Sequence, residues 1–190
     1  MTNTDQIPMT ETKQKIVQGA IGCFVHYGAR KTSMNDIARE AGVSRQTLYD
    51  LFGGKDDLIR ASILQITDMS LADIERQLPG CSSLGEKIDL YFHETVIKSF
   101  ELLQIAREPE DLISGHNKAG ADAIKEAHAR MKALITRVLT EHQGSPGTVK
   151  TEDLANYIVT VSMSFKYVKD REELEELLNV LKQSVIKLAG

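Results

Sequence analysis

Tryptophan is absent from this chain, and proline and cysteine are scarce, at four and two of 190 residues. So few prolines and aromatics argue against a sandwich of short strands and favour helices. The two cysteines, Cys23 and Cys81, are too far apart in sequence for a disulfide framework or a metal-ligand spacing. Cys23 continues the apolar face Ile16, Ala20, Phe24 and reads as core. Cys81 sits in the loop-like PGCSS with no basic neighbour to activate it, and reads as an incidental thiol. Long apolar runs are missing too. None approaches the length needed to span a bilayer, and the opening MTNTDQIPMTETKQK lacks the apolar centre of a signal peptide. A cytoplasmic protein without membrane contact is expected.

Catalytic and metal signatures are also lacking. No two of the five histidines share the i, i+4 spacing of a helical metal site, and there is no G-x-S-x-G, P-loop or G-x-G-x-x-G. GARKTS superficially suggests a phosphate loop but has neither the second glycine nor the G-K pair. No enzyme, no cofactor and no metal site is expected. A surplus of basic charge is missing as well: the formal net charge is −4, and residues 1–60 hold 8 Lys+Arg against 7 Asp+Glu, the remainder 15 against 20. Any contact with DNA must therefore rest on a few placed side chains.

What is present is a compact motif, SMNDIAREAGVSRQTLYDLF, from Ser33 to Phe52. Two helices crossing at a tight turn need apolar locks, which Ile37, Ala41, Val43, Leu48 and Leu51 supply, with Ala38 as the small contact and Gly42 where the chain leaves the first helix. Ser33 with Asp36 makes a capping-box start, and Ser44 is a natural N-cap for the second helix. With Leu48 and Leu51 inward, Arg45, Gln46, Thr47, Tyr49 and Asp50 remain on the outer face, where a recognition helix meets the major groove. Arg suits guanine, Gln suits adenine and the Thr methyl suits thymine, while Tyr49 reaches for a phosphate. The bland alternative is a solvated polar face. An amphipathic helix over Glu11–Tyr27, with Ile16, Ala20, Cys23, Phe24 and Tyr27 at helical spacing, completes a three-helix domain. Gly53-Gly54 breaks the recognition helix, Asp56 and Asp57 open the next one, and Lys55 stands at its N-terminus for a phosphate.

At these residues the sequence resembles the TetR family of bacterial transcriptional regulators. The family pattern F-x-x-x-G followed by T-x-x-x-I-A-x-x-A-G-V-S-x-x-T-L-Y-x-x-F-x-x-K-x-x-L is matched by Phe24, Gly28, Ser33, Ile37, Ala38, Ala41, Gly42, Val43, Ser44, Thr47, Leu48, Tyr49, Phe52, Lys55 and Leu58. The resemblance implies Asn35, Arg45 and Gln46 as base-reading candidates and Ser33, Thr47, Tyr49 and Lys55 as phosphate contacts. Beyond Leu58 it is one of length and helicity.

The remaining chain reads as helices. Leu58, Ser62, Ile66, Met69, Ile74 and Leu78 mark a connecting helix over 55–78, and PGCSSLG breaks it. From Gly85 to Arg107 apolar residues fall on nearly every side, which predicts a buried central helix ended by Pro109. A helix over 122–142 follows, closed by GSPG. The last two, 152–168 and 172–188, carry heptad-like stripes: Leu154, Ile158, Val161, Phe165 and then Leu174, Leu178, Leu181, Val185. Second stripes, Ala155, Val159, Met163 and Leu177, Val180, leave one side for the body and one for a partner, which predicts a homodimer; periodicity does not say which stripe faces out. The resemblance points the same way, to a four-helix dimer interface. Tyr91, His93, Phe100, His128 and Met131 are candidate pocket residues, each open to the simpler reading of a satisfied core side chain.

The expectation is an all-α protein of about nine helices, with a helix-turn-helix DNA-binding domain at 1–54 and a helical regulatory and dimerisation domain at 55–190. It would be a repressor that binds a palindromic operator in double-stranded DNA as a homodimer and is released by an unknown small-molecule effector. The alternative is a helical small-molecule-binding or scaffold protein that does not read DNA.

Overall fold

The structure, a computed structural model, describes residues 10–113, 117–142 and 149–190. Its helices are α1 (Glu11–Tyr27), α2 (Met34–Glu40), α3 (Arg45–Leu51), α4 (Lys55–Gln77), α5 (Leu84–Phe92), α6 (Lys98–Ile105), α7 (Pro109–Ile113), α8 (Lys118–His142), α9 (Thr151–Ser164) and α10 (Arg171–Ala189). A π-helical turn, His93–Ile97, joins α5 to α6 in one continuous rod, so that nine helical rods stand among the described residues. No strand occurs among them. The chain forms two compact units, one of residues up to Ser62 together with Ala106–Ala121, the other of Ile63–Ile105 with Asp122–Gly190. The sequence reading divides the chain at 54/55; the contacts group α7 and its flanks with the N-terminal helices.

In the first unit local signals set the helix ends. Thr10 caps α1 by accepting from the Lys13 N–H. Ile16, Val17, Ala20, Cys23, Phe24 and Val25 are buried. Tyr27, expected on this face, is instead 49% exposed, because α1 ends there and Gly28 turns the chain away with φ 82°. Ser33 and Asp36 form both halves of a capping box at α2. Gly42, at φ 66°, follows α2, and the Val43 N–H returns to the Ala38 carbonyl at 3.0 Å. Ser44 caps α3 through the Thr47 N–H. Ile37 and Leu48 are wholly buried and Ala38 nearly so, while Ala41, Val43 and Leu51 are half-buried locks. One small contact escaped the sequence reading: a Cβ at Gly19 would lie 3.2 Å from the Ala41 nitrogen, so α1 and α2 touch there.

The second unit is a helical core around Ile74, Ile88, Tyr91, Ile135, Leu139, Leu154, Ile158 and Leu174. Several expectations change. Met69 is 54% exposed and the α4 face is completed by buried Ile59 and Thr67. The central rod stops at Ile105, itself 69% exposed, and Pro109 is the first residue of α7 rather than a terminator, a position where its missing N–H costs no helical bond. The helix expected at 122 begins at Lys118. The GSPG stop lies outside the described residues.

The stripe Leu154, Ile158, Phe165, Leu174, Leu178, Leu181 and Val185, offered as a dimer interface, is buried in the chain's own core, and Val161 is half-buried. It is therefore not partner-facing. α10 packs on α5 as well as on α9, so these residues close one internal core. Ala155 and Val159 of the second stripe are buried too, which leaves Tyr157 (41%) and Val180 (63%) as the large apolar groups open on this pair, beside Ile186 on another side of α10.

Both positive-φ turns of the first unit require glycine, but unequally. Gly42→Ala should cost about 1–2 kcal/mol, the left-handed penalty alone, since a Cβ there meets nothing within 4 Å. Gly28→Ala adds contact with Glu108, whose Cγ would lie 2.8 Å away, in a region that side chains avoid at a cost of about 1–3 kcal/mol. Urea unfolding of the two variants should show the larger loss at Gly28.

Candidate nucleic-acid interface

Helix α3 is seven residues long, too short to be stable alone. It is held by the Ser44 cap and by Leu48, which has no exposed surface. That anchoring turns Arg45, Gln46, Tyr49 and Asp50 outward; Tyr49 is 44% exposed and Thr47 half-buried. The Ser44 and Thr47 hydroxyls lie 2.8 Å apart and share a hydrogen bond beside the cap. Gln46 Nε2 donates to Asp50 Oδ1 at 2.7 Å, one turn along the same face. One of the two amide N–H donors of Gln46 is thus engaged by Asp50, which orients the amide and leaves its other N–H and its carbonyl oxygen.

Asn35 is exposed on α2. Ser33 is exposed as well, with its hydroxyl donating to Asp36 Oδ2 at 2.6 Å. Lys55 has a role the sequence reading missed. Its Nζ donates to the carbonyls of Ala29 (2.9 Å), Thr32 (3.2 Å) and Arg30 (3.5 Å), bracing the loop between α1 and α2. The Thr32 hydroxyl closes the same loop from inside, donating to Gly28 O at 2.8 Å.

Residues 106–121 complete this unit. The Arg107 N–H donates to the Val25 carbonyl at 3.1 Å. Asp111 pairs with Arg30 and Glu108 with Lys31. Asn117 Nδ2 donates to Asp56 Oδ1 at 2.6 Å. The two ion pairs join residues 81 and 77 positions apart, and no local pattern in the sequence announces them.

The candidate pocket residues lie in the second unit and divide. Tyr91, Phe100 and Met131 belong to one buried apolar cluster. The Tyr91 hydroxyl stands 3.5 Å from Ser162 Oγ, and burial pushes the phenol up from its usual pKa. His93, expected as a buried polar residue, is exposed instead. At the π turn Glu94, Thr95 and Val96 are the residues buried; an added residue in a helical turn changes which side chains face inward. Glu94 is 3% exposed and accepts from Lys98 Nζ and, at 3.3 Å, from Gln77 Nε2. His128 is half-buried, and its pKa is held below 6.5 first by burial and then by the charge of Lys166. Among the described residues no group of three His, Cys, Asp or Glu could hold a metal, and no helix is long and apolar enough to cross a membrane.

Residues 16–62 match the family model described as bacterial regulatory proteins, tetR family. The HTH-type transcriptional regulator HbdR of Aromatoleum sp. (strain CIB) is 32% identical over 85 residues, 45% of this chain and 37% of that protein. The match thus spans little more than a third of that relative's length. The uncharacterized HTH-type transcriptional regulator MT2310 of Mycobacterium tuberculosis (strain CDC 1551 / Oshkosh) is 25% identical over 181 residues, 94% of this chain and 82% of that protein. A solved structure described as a TetR-family transcriptional regulator from Rhodococcus sp. superposes with a TM-score of 0.73 at 18% identity, covering 96% of this chain and all of that one. At that identity the likeness is one of fold.

The lowered His128 pKa has a definite sign for stability. The unfolded chain takes up the proton near 6.5 while the folded chain resists it, so stability is present above 6.5 and falls as pH drops below it toward the folded-state value. Urea unfolding across this range should show that loss, and His128→Gln should remove its share.

Proposed function

We propose that this chain is a regulator of the TetR family and not an enzyme: a repressor that binds a palindromic operator as a homodimer and leaves it when a small molecule enters the second unit. The observation that carries the proposal is α3 within the family-matching segment 16–62: a capped helix pinned by buried Leu48 with Arg45 and Gln46 exposed on its outer face. Such a helix enters the major groove and meets base edges with its first residues. An arginine there suits guanine O6 and N7, and a glutamine suits adenine. Ser33, Asn35, Ser44, Thr47 and Tyr49 are supporting contacts, while Lys55, expected to meet a phosphate, directs its donors to the carbonyls of the loop before α2 and acts by holding that loop. The near balance of charge over residues 1–60 fits a protein that selects its site rather than one held on DNA by bulk charge.

Two heads on one operator need half-sites about 34–36 Å apart, or a multiple of that. Support for the dimer comes from the side of α9 and α10 that the internal core leaves open, where Tyr157 and Val180 are exposed and Leu177 is half-buried. Support for an effector comes from His128, a polar group half-buried in the second unit.

Arg45→Ala should cost about 1–3 kcal/mol on the selected operator and relax preference at one base pair. A gel-shift comparison of that operator with single-base variants reads both effects; an equal loss on every sequence would remove the base-reading role. Val180→Glu should convert the dimer to monomer in sedimentation at micromolar concentration, because a carboxylate without a partner does not enter an apolar interface. A stable monomer for the unaltered chain would sink the dimer and the palindrome together.

A further inference from the structure

We infer that Arg30 is a DNA phosphate contact and that Asp111, seated on α7, is its positioning residue. The inference rests on the DNA-binding reading above and adds to it a contact outside the family-pattern residues, dependent on a segment far away in sequence.

The geometry is two-sided. Asp111 grips Arg30 twice: its Oδ1 lies 3.0 Å from the arginine Nε, and its Oδ2 accepts from the Arg30 backbone N–H at 3.2 Å. The carboxylate is itself fixed, with its side chain only 8% exposed and its own N–H donating to the Glu108 carbonyl at 3.1 Å. The Arg30 side chain, by contrast, is 73% exposed. A guanidinium is a rigid planar fork of five N–H donors. Held along its Nε edge by a buried acid, it offers its remaining edge to solvent in a set orientation, and the entropy of ordering a long side chain is lost before a ligand arrives. The ligand chemistry for such an edge is an oxyanion that accepts two parallel hydrogen bonds.

The place on the fold selects the backbone of DNA as that oxyanion. Arg30 lies on the 28–32 loop, three residues before Ser33, and its carbonyl accepts from Lys55 Nζ at 3.5 Å. Ser33, three residues on, is a candidate phosphate contact at the N-cap of α2, and Lys55, whose three donors go to this loop's carbonyls, holds the loop that carries Arg30. Lys31 does not share the argument. Its partner Glu108 is 42% exposed and Lys31 66%, and exposed pairs of this kind hold little in place.

The test uses the full-length chain and a duplex it selects from a randomised pool, alongside a random-sequence duplex of the same length at low salt. Arg30→Ala should weaken both duplexes about tenfold and lower the salt slope by about one unit, as loss of one phosphate contact does. Asp111→Asn keeps an oxygen for the Arg30 N–H but removes the charge behind the guanidinium. It should weaken binding several-fold in the unaltered chain and have no effect in the Arg30→Ala background. Arg30→Lys, which keeps the charge but loses the Nε contact, should fall between. A purely structural Asp111 would instead lower affinity in both backgrounds, and an acid that merely screens the arginine would give tighter binding on Asp111→Asn; either result overturns the proposal. So does an unchanged salt slope for Arg30→Ala when Arg45→Ala still loses its selected duplex. If the unaltered chain binds neither duplex, the DNA-binding reading fails first.

Discussion

The first unit depends on how five residues, Gly28 to Thr32, are satisfied. A tight loop between two helices carries backbone carbonyls and N–H groups that no helix pairs, and a buried unpaired group costs as much as a lost hydrogen bond. Here the partners arrive from three separate parts of the chain. Thr32 bonds back to Gly28, Lys55 from the start of α4 takes the carbonyls of residues 29, 30 and 32, and Asp111 from α7 takes the Arg30 N–H. Only glycine holds the backbone that opens the loop, at φ 82°. Everything downstream inherits this arrangement. α2 begins directly after the loop's Ser33 cap, and α3 is positioned by α2 through the Gly42 turn.

That dependence explains why two seven-residue helices suffice. Nucleating a helix fixes several residues for one hydrogen bond, so isolated helices of this length are not stable in water. Each is compensated at its ends, by the Ser33–Asp36 box and by the Ser44 cap, and in its middle by Ile37, Ala38 and Leu48. Anchoring of α3 fixes the face from which Arg45 and Gln46 project, and on the proposed reading direction is what separates reading a base edge from attraction to any phosphate.

What was legible in the sequence follows the range of the interaction. Both caps of the motif, the Gly42 turn and the bounds of α1 were readable because each is set by residues within about four positions of one another. Tyr27 failed because periodicity puts it on the apolar face but does not say that the last residue of a helix has nothing beyond it to cover it. His93 failed because a π turn breaks the 3.6-residue count on which the face assignment relied. The stripes on α9 and α10 were found, but their direction was not. Which side of this pair turns inward is decided by packing against α5, an element far away in sequence, so that Ile158 and Leu174 are both fully buried. The grouping of 106–121 with the first unit had no local trace at all, since Arg30 with Asp111 and Lys31 with Glu108 are ordinary surface-type residues until the fold brings them together.

Some cations of the first unit are offset by an acid, Arg39 by Asp36 and Lys31 by Glu108. The amide of Gln46 is held by Asp50. Several groups that could attract DNA thus have an acidic neighbour, so the unspecific part of the attraction is reduced while the directional part stays. On the proposed reading few phosphates are neutralised, so one DNA-binding unit would hold DNA weakly and with a shallow dependence on salt. Affinity would then come from joining two such units in the proposed dimer, because linking a second binding event to the first raises its effective concentration without any new contact. In such a dimer the separation of the two DNA-binding units would be a more sensitive control than the chemistry of either one.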